Sequence, residues 1–225
     1  MKFTFFWLFF LSFCFIQNTA FAQSDTNLIL TLKERLENVS TVEEEVGLLN
    51  DIAWEYYYQN FDSAMYYTNL ALAKSDELED EYWQSVSLEM KAILMEMSGQ
   101  YEEAISLYLE VIPLRQKSGG EGLENTYNNM AALFQNQQNY ETSLIYFKKS
   151  LEIEEERNNQ NGIAACLINL GISYKNLGKL DTAGVLFRQA NILSEAIKDS
   201  VLMIHSSLSL GDYFYQDNKK DSATY

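Results

Sequence analysis

Proline occurs once in these 225 residues, at Pro113, histidine once, at His205, and cysteine twice, at Cys14 and Cys166. A single proline leaves long stretches free of the residue that breaks helices, which favours an uninterrupted helical chain over a strand-and-turn fold. One histidine excludes a His-rich metal site, and any Ser-His-Asp arrangement would have to run through His205 alone. Two cysteines exclude a disulfide framework. Cations are scarce as well: Lys+Arg number 16 against Asp+Glu 32, a net charge of −16 at pH 7. Nucleic acid and anionic headgroups are excluded as partners, because affinity for both depends on cationic contacts. The acidic runs, such as Glu43-Glu44-Glu45 and Glu154-Glu155-Glu156, read as solvated helix ends and loops that confer solubility. No Gly-Lys-Ser/Thr follows Gly119, Gly120 and Gly122, so a phosphate-binding loop is excluded too. With no carboxylate in a setting that would raise its pKa, the chain is expected to be no enzyme and to need no cofactor or metal.

Long apolar runs are equally rare. Phe3 to Ile16 follows Met1-Lys2 and ends in Ala20-Phe21-Ala22, which matches a secretory signal peptide over residues 1–22 with cleavage before Gln23. The run is shorter than the roughly 20 residues that a membrane span needs. Phe13 is too bulky to precede a lipid-modified Cys14, so a lipoprotein is not expected. The expectation is therefore an exported, periplasmic chain whose mature segment does not insert into the membrane. Cys14 leaves with the leader, and Cys166, alone in an apolar helical stretch, reads as a small core residue.

What the chain has is a repeat. Ala64, Ala104, Ser143, Ala183 and Ala223 recur at a spacing of roughly 40 residues, each in a similar frame: FDSAMYY, YEEAISLY, YETSLIYF, LDTAGVLF, KDSATY. About a dozen residues before each stands a second small residue: Ala53, Ala92, Ala131, Gly171 and Gly211. Apolar residues keep helical spacing around both members, as in Leu167, Leu170 and Tyr174, and again in Leu180, Ala183, Phe187 and Ala190. Each repeat is thus two amphipathic helices joined by a short polar loop, and the small pair lets them approach closely. Pro113 is expected to kink or end its helix near Ile112, and Ser118 to Gly122 to be the most flexible linker. Ser24 to Asn38 reads as a capping helix with Ile29, Leu32 and Leu36 on one face and Ser24 or Asp25 at its start.

Leu167, Gly171, Tyr174, Gly178, Ala183, Phe187 and Ala190 together resemble the tetratricopeptide repeat, in a longer form than its usual unit of about 34 residues. The resemblance runs from Val42 to the end. It implies an all-α fold, a right-handed superhelical solenoid of antiparallel helix pairs with four full repeats and a truncated fifth. The expected divisions are the signal peptide (1–22), a capping helix (23–41) and the array (42–225), with repeats at 42–79, 80–119, 120–158, 159–198 and a partial 199–225.

In that family the first helices line a concave groove that takes protein or extended peptide. The resemblance places Trp54, Tyr58, Met90, Ile93, Asn125, Asn128, Asn129, Asn169, Ile172 and Lys175 in it. Asn129 and Asn169 hold one register position in successive repeats, and an amide both donates and accepts, so such a row could hold a peptide backbone as a short ladder. Lys175 is the one cation among these positions, too few for the family's clamp on acidic peptides. Trp54 and Tyr58, with Met90, Ile93 and Met97, suggest an apolar sub-site. His205 reads as a groove or packing residue of the last repeat. The second helix of the fifth repeat has barely begun at Tyr225, and the natural protein is expected to continue. The leading expectation is the extracytoplasmic sensory or partner-binding region of a larger bacterial signalling protein, similar to exported repeat regions that precede sensor kinases or regulators. The alternative is a freestanding periplasmic adaptor that assembles envelope proteins.

Overall fold

The computed structural model describes residues 28–223, with side chains through Asp217. The expected leader with Cys14, the proposed caps Ser24 and Asp25, and Tyr225 lie outside the described residues. Every element among the described residues is a helix: α1 (28–37), α2 (Val42–Tyr56), α3 (Phe61–Leu78), α4 (Glu81–Met97), α5 (Tyr101–Lys117), α6 (Leu123–Asn136), α7 (Tyr140–Glu156), α8 (Gln160–Asn176), α9 (Leu180–Ile197) and α10 (Ser200–Ala223). The chain divides into two compact units between Leu107 and Tyr108, inside α5.

Short polar side chains set the starts of α2, α3, α4 and α7. Thr41 Oγ1 accepts from the Glu44 N–H at 3.2 Å, Asn60 Oδ1 from Ser63 at 2.9 Å, Asp80 Oδ1 from Trp83 at 3.0 Å and Asn139 Oδ1 from Thr142 at 3.2 Å. Each satisfies a donor that the first turn leaves unpaired. The loops inside repeats turn through a left-handed residue: Gly99 (φ 78°), Gln138 (φ 61°) and Gly178 (φ 76°). Glu79, Asn158 and Lys198 play the same part where second helices end.

In the first unit α2 packs against α3 and α4. Ala53 and Ala64 are wholly buried and share a cluster with Met90 and Leu94. On the other flank Leu32 of α1 packs with Leu48 and Ile52, and Trp83 lies against Gly47 with no room to spare, 3.1 Å from where a Cβ would sit.

In the second unit α6 packs on α7, α7 on α8, α8 on α9, and α9 on α10. Ala131 joins Leu144, Phe147 and Leu170 in one cluster; Ala183 and Phe187 join Tyr213 in the next. A Cβ at Gly171 would lie 2.4 Å from the ring of Phe187, and one at Gly184 would lie 2.5 Å from the ring of Tyr213. The small residues thus admit aromatic rings as well as each other.

The structure bears on three local expectations. Pro113 lies inside α5, which runs on to Lys117. Proline removes a single donor, the one that would meet the Leu109 carbonyl, and the loss of one bond does not end the helix here. α10 runs from Ser200 to Ala223 without the short loop expected between the two helices of the last repeat. Accordingly Gly211 faces open space and not a close-packed partner at Ala223. The loop from Ser118 to Gly122 is held at its carbonyls, with Arg115 donating to Glu121 O at 2.6 Å and Arg157 to Gly120 O at 2.9 Å.

Candidate partner-binding face

Within each unit, first helices of successive repeats lie side by side: α2 with α4, α6 with α8, and α8 with α10. Side chains at matching register on these helices therefore become neighbours, and what they carry decides what the face can hold.

In the second unit the face is polar and largely self-satisfied. Asn169 Nδ2 donates to Asn128 Oδ1 at 3.1 Å, joining α8 to α6. Gln135 Nε2 donates to Ser173 Oγ at 2.7 Å and to the Asn169 carbonyl at 3.3 Å, and Ser173 Oγ lies 2.9 Å from Ser143 Oγ. Asn169 thus bonds Asn128, not its register-mate Asn129, which is half-buried and shows no such side-chain bond. Asn125 is exposed beside Glu124, at 3.4 Å. Ile172 is half-buried against the Ala183, Phe187 and Tyr213 cluster.

Lys175 is not a free cation: it pairs with Asp212 of α10, whose carboxylate also accepts from Gln216 at 3.2 Å. The lysine beside Asp212 holds that carboxyl below its usual range. His205 is exposed.

The first unit offers a different surface. Trp54 is 54% and Tyr58 87% exposed, with Ile93 half-buried and Met97 exposed on α4. Trp54 stacks on Tyr57 with ring centres 5.5 Å apart, and Tyr57 meets Tyr58 edge-on at 4.2 Å. Met90, expected in the groove, is buried in the core between Ala53 and Leu94, because its position on α4 turns toward α2 and α3. Asn50 is likewise structural, donating to Val46 O at 2.9 Å and Ser87 Oγ at 3.0 Å from a buried site.

Sequence reasoning missed Tyr57, Glu96 and Gln135. They share one register position with Lys175, which was singled out for its charge; following that position back through the repeats would have found them. Cys166 is buried beside Ser150 Oγ at 3.4 Å, and burial pushes its thiol up, away from the thiolate a nucleophile needs. Among the described residues no group of three or more His, Cys, Asp or Glu is placed to hold a metal ion, and no helix is long and apolar enough to cross a membrane.

Helix pairs stacked in register, with their first helices forming a shared face, define a helical-repeat interaction scaffold. The sequence agrees on the class: residues 16–118 match the family model described as the SusR N-terminal TPR domain, and residues 122–190 match the tetratricopeptide repeat. The chain belongs to the tetratricopeptide-repeat proteins. Among solved structures it is similar to BtubC (BKLC) from P. vanneervenii, at TM-score 0.74 and 17% identity over 87% of this chain and 82% of that one. It is also similar to aspartyl phosphate phosphatase F from Bacillus subtilis, at TM-score 0.75 and 19% identity over 83% of this chain and 50% of that one. A Rap protein complexed with Competence and Sporulation Factor gives TM-score 0.72 and 19% identity over 89% of this chain and 61% of that one. The chain therefore spans about half to three-fifths of the length of the last two. At these identities the likeness is one of fold. No curated protein sequence matches the chain.

Proposed function

We propose that this chain is a non-enzymatic receptor for an extended protein segment, bound on the faces of its first helices, and that it serves as the exported, sensory part of a larger bacterial signalling protein. The observation that carries the binding role is the exposed pair Trp54 and Tyr58. Large rings held rigidly at a surface supply contact area at little entropic cost and are the residues that dominate binding energy where partners meet. The half-buried amide of Asn129 adds a donor and an acceptor for a peptide backbone. A similar fold is found in a Rap protein complexed with Competence and Sporulation Factor. Support for a larger protein comes from the matched family model, which describes an N-terminal domain; support for export comes from the leader-like residues 1–22.

A displayed library of random peptides, selected on the chain, tests the binding role. Enriched peptides should lose affinity with Trp54→Ala where the first unit holds them, or with Asn129→Ala where the second does, and keep it with Ile192→Ala, on the exposed side of a second helix. Peptides indifferent to both face variants would sink the proposal. Fusing residues 1–60 to alkaline phosphatase tests export, since that reporter is active only outside the cytoplasm; an inactive, cytoplasmic fusion would refute the exported role.

A further inference from the structure

Three stacked ring pairs occur among the described residues. Tyr56–Tyr67, with centres 5.8 Å apart, carries Lys33, whose Nζ lies 5.2 Å from one ring centre and 5.4 Å from the other. Phe134–Tyr146, at 5.7 Å, carries Lys149, 5.2 Å from the tyrosine ring. Trp54–Tyr57, parallel to within 4°, carries no cation from this chain among the described residues. Yet it includes an indole, the ring type with the strongest pull on a cation, and Trp54 is the more open of the two at 54% exposure.

Negative potential gathers at the same place. Helices α2 and α4 both end here with no basic residue in the last turn, so the carbonyl ends of both are uncompensated. Glu55 lies on α2 one turn before Tyr58, and Glu96 lies close enough to Tyr57 to act on its phenol, which burial, Tyr58 and that carboxylate all push up. The nearest basic residue on α4, Lys91, is more than a turn upstream of Glu96. At the matching register on α8 stands Lys175; the first unit has a residue of the opposite charge there, Glu96.

We infer that Trp54, Tyr57 and Tyr58, with Glu96 beside them, form a cation–π subsite that takes the guanidinium of an arginine in a bound peptide. The inference rests on the peptide-binding reading above and specifies its partner. Guanidinium is planar and weakly hydrated, so it can lie flat on the open face of Trp54 while its edge donates to a carboxylate. An ammonium can also sit over a ring, as Lys33 and Lys149 do, but it is more strongly hydrated and has no planar face to stack. An acidic peptide would meet the carboxylates and the helix ends with the wrong sign.

The test is a calorimetric titration of the chain with two capped pentapeptides, Gly-Ala-Arg-Ala-Gly and the same peptide with glutamine for arginine. The arginine peptide should bind at least about fivefold more tightly. That preference should disappear in Trp54→Leu, which keeps apolar bulk without the π face, and should shrink in Glu96→Gln and with added salt. Circular dichroism confirms that both variants stay folded. Equal affinity for the two peptides, a preference that survives Trp54→Leu, or no binding of the arginine peptide at millimolar concentration would each overturn the subsite. Library peptides that bind through Asn129 without regard to arginine would leave the peptide-binding face standing and remove only this assignment.

Discussion

Gly171 and Gly211 occupy the same place in successive repeats, yet an added methyl group would meet opposite surroundings. At Gly171 it would lie 2.4 Å from the ring of Phe187, a side chain with no exposed surface and so no room to yield. Gly171→Ala should cost ~1–3 kcal/mol through overpacking. At Gly211 nothing lies within 4 Å, so Gly211→Ala should raise stability by up to ~1 kcal/mol through helix propensity alone. Urea midpoints of the two variants decide it: equal shifts, or shifts of the same sign, would contradict the packing. The spacing of small residues in the sequence marks both positions alike. Which one carries a ring is settled only when α9 lies on α8. The same holds for Met90 and Lys175, which read as groove residues by register; burial claims the first and Asp212 the second.

At the scale of elements, the starts of α2, α3, α4 and α7 are legible because a Thr, Asn or Asp stands where an orphan donor needs an acceptor, whereas Gly122 and Lys179 before α6 and α9 give no such signal. Loops inside repeats are legible where they hold Gly99 or Gly178, but Gln138 adopts the same left-handed conformation against its own preference. Gln138→Gly should therefore stabilise the second unit by about 0.5–1 kcal/mol, read from the thermal midpoint; a loss would mean that the Gln138 side chain has a role of its own. At Pro113 the sequence allows a kink or an end, and the helix does not end there, since α5 runs on to Lys117. Between elements, Lys175 ties α8 to α10 through Asp212. Because the Asp212 carboxyl is held below its ordinary value of 3.8, its contribution is present in full above that pH and is lost as pH falls through the lowered folded value. Melting curves of the native chain and Asp212→Asn should thus differ at neutral pH and converge in strong acid. A gap that persists unchanged in strong acid would show that the pair is not what Asp212 contributes.

Across the whole molecule the dominant physical fact is the net charge of −16 at pH 7. Like charges at this density repel each other in the compact state and are relieved by salt. The thermal midpoint at pH 7 should rise as sodium chloride is raised from about 0.02 to about 0.5 M, because the Debye length falls well below 10 Å; a midpoint that falls would mean that attractive pairs outweigh the repulsion. The same charge bears on partners, since the face that carries Trp54 and Glu96 is the one whose aromatic stack carries no cation of its own.

Length, a roughly forty-residue period and the near absence of proline were enough, from the sequence by itself, to determine an all-α array of helix pairs, because periodicity and propensity act within a helix or across one short loop. Only the tertiary structure decided which register positions face a partner and which face another helix. Those positions differ by a fraction of a helical turn, and their fate depends on side chains about forty residues away that local pattern does not connect. Met90 in the core and Asn169 bonded to Asn128 both belong to that second kind of knowledge.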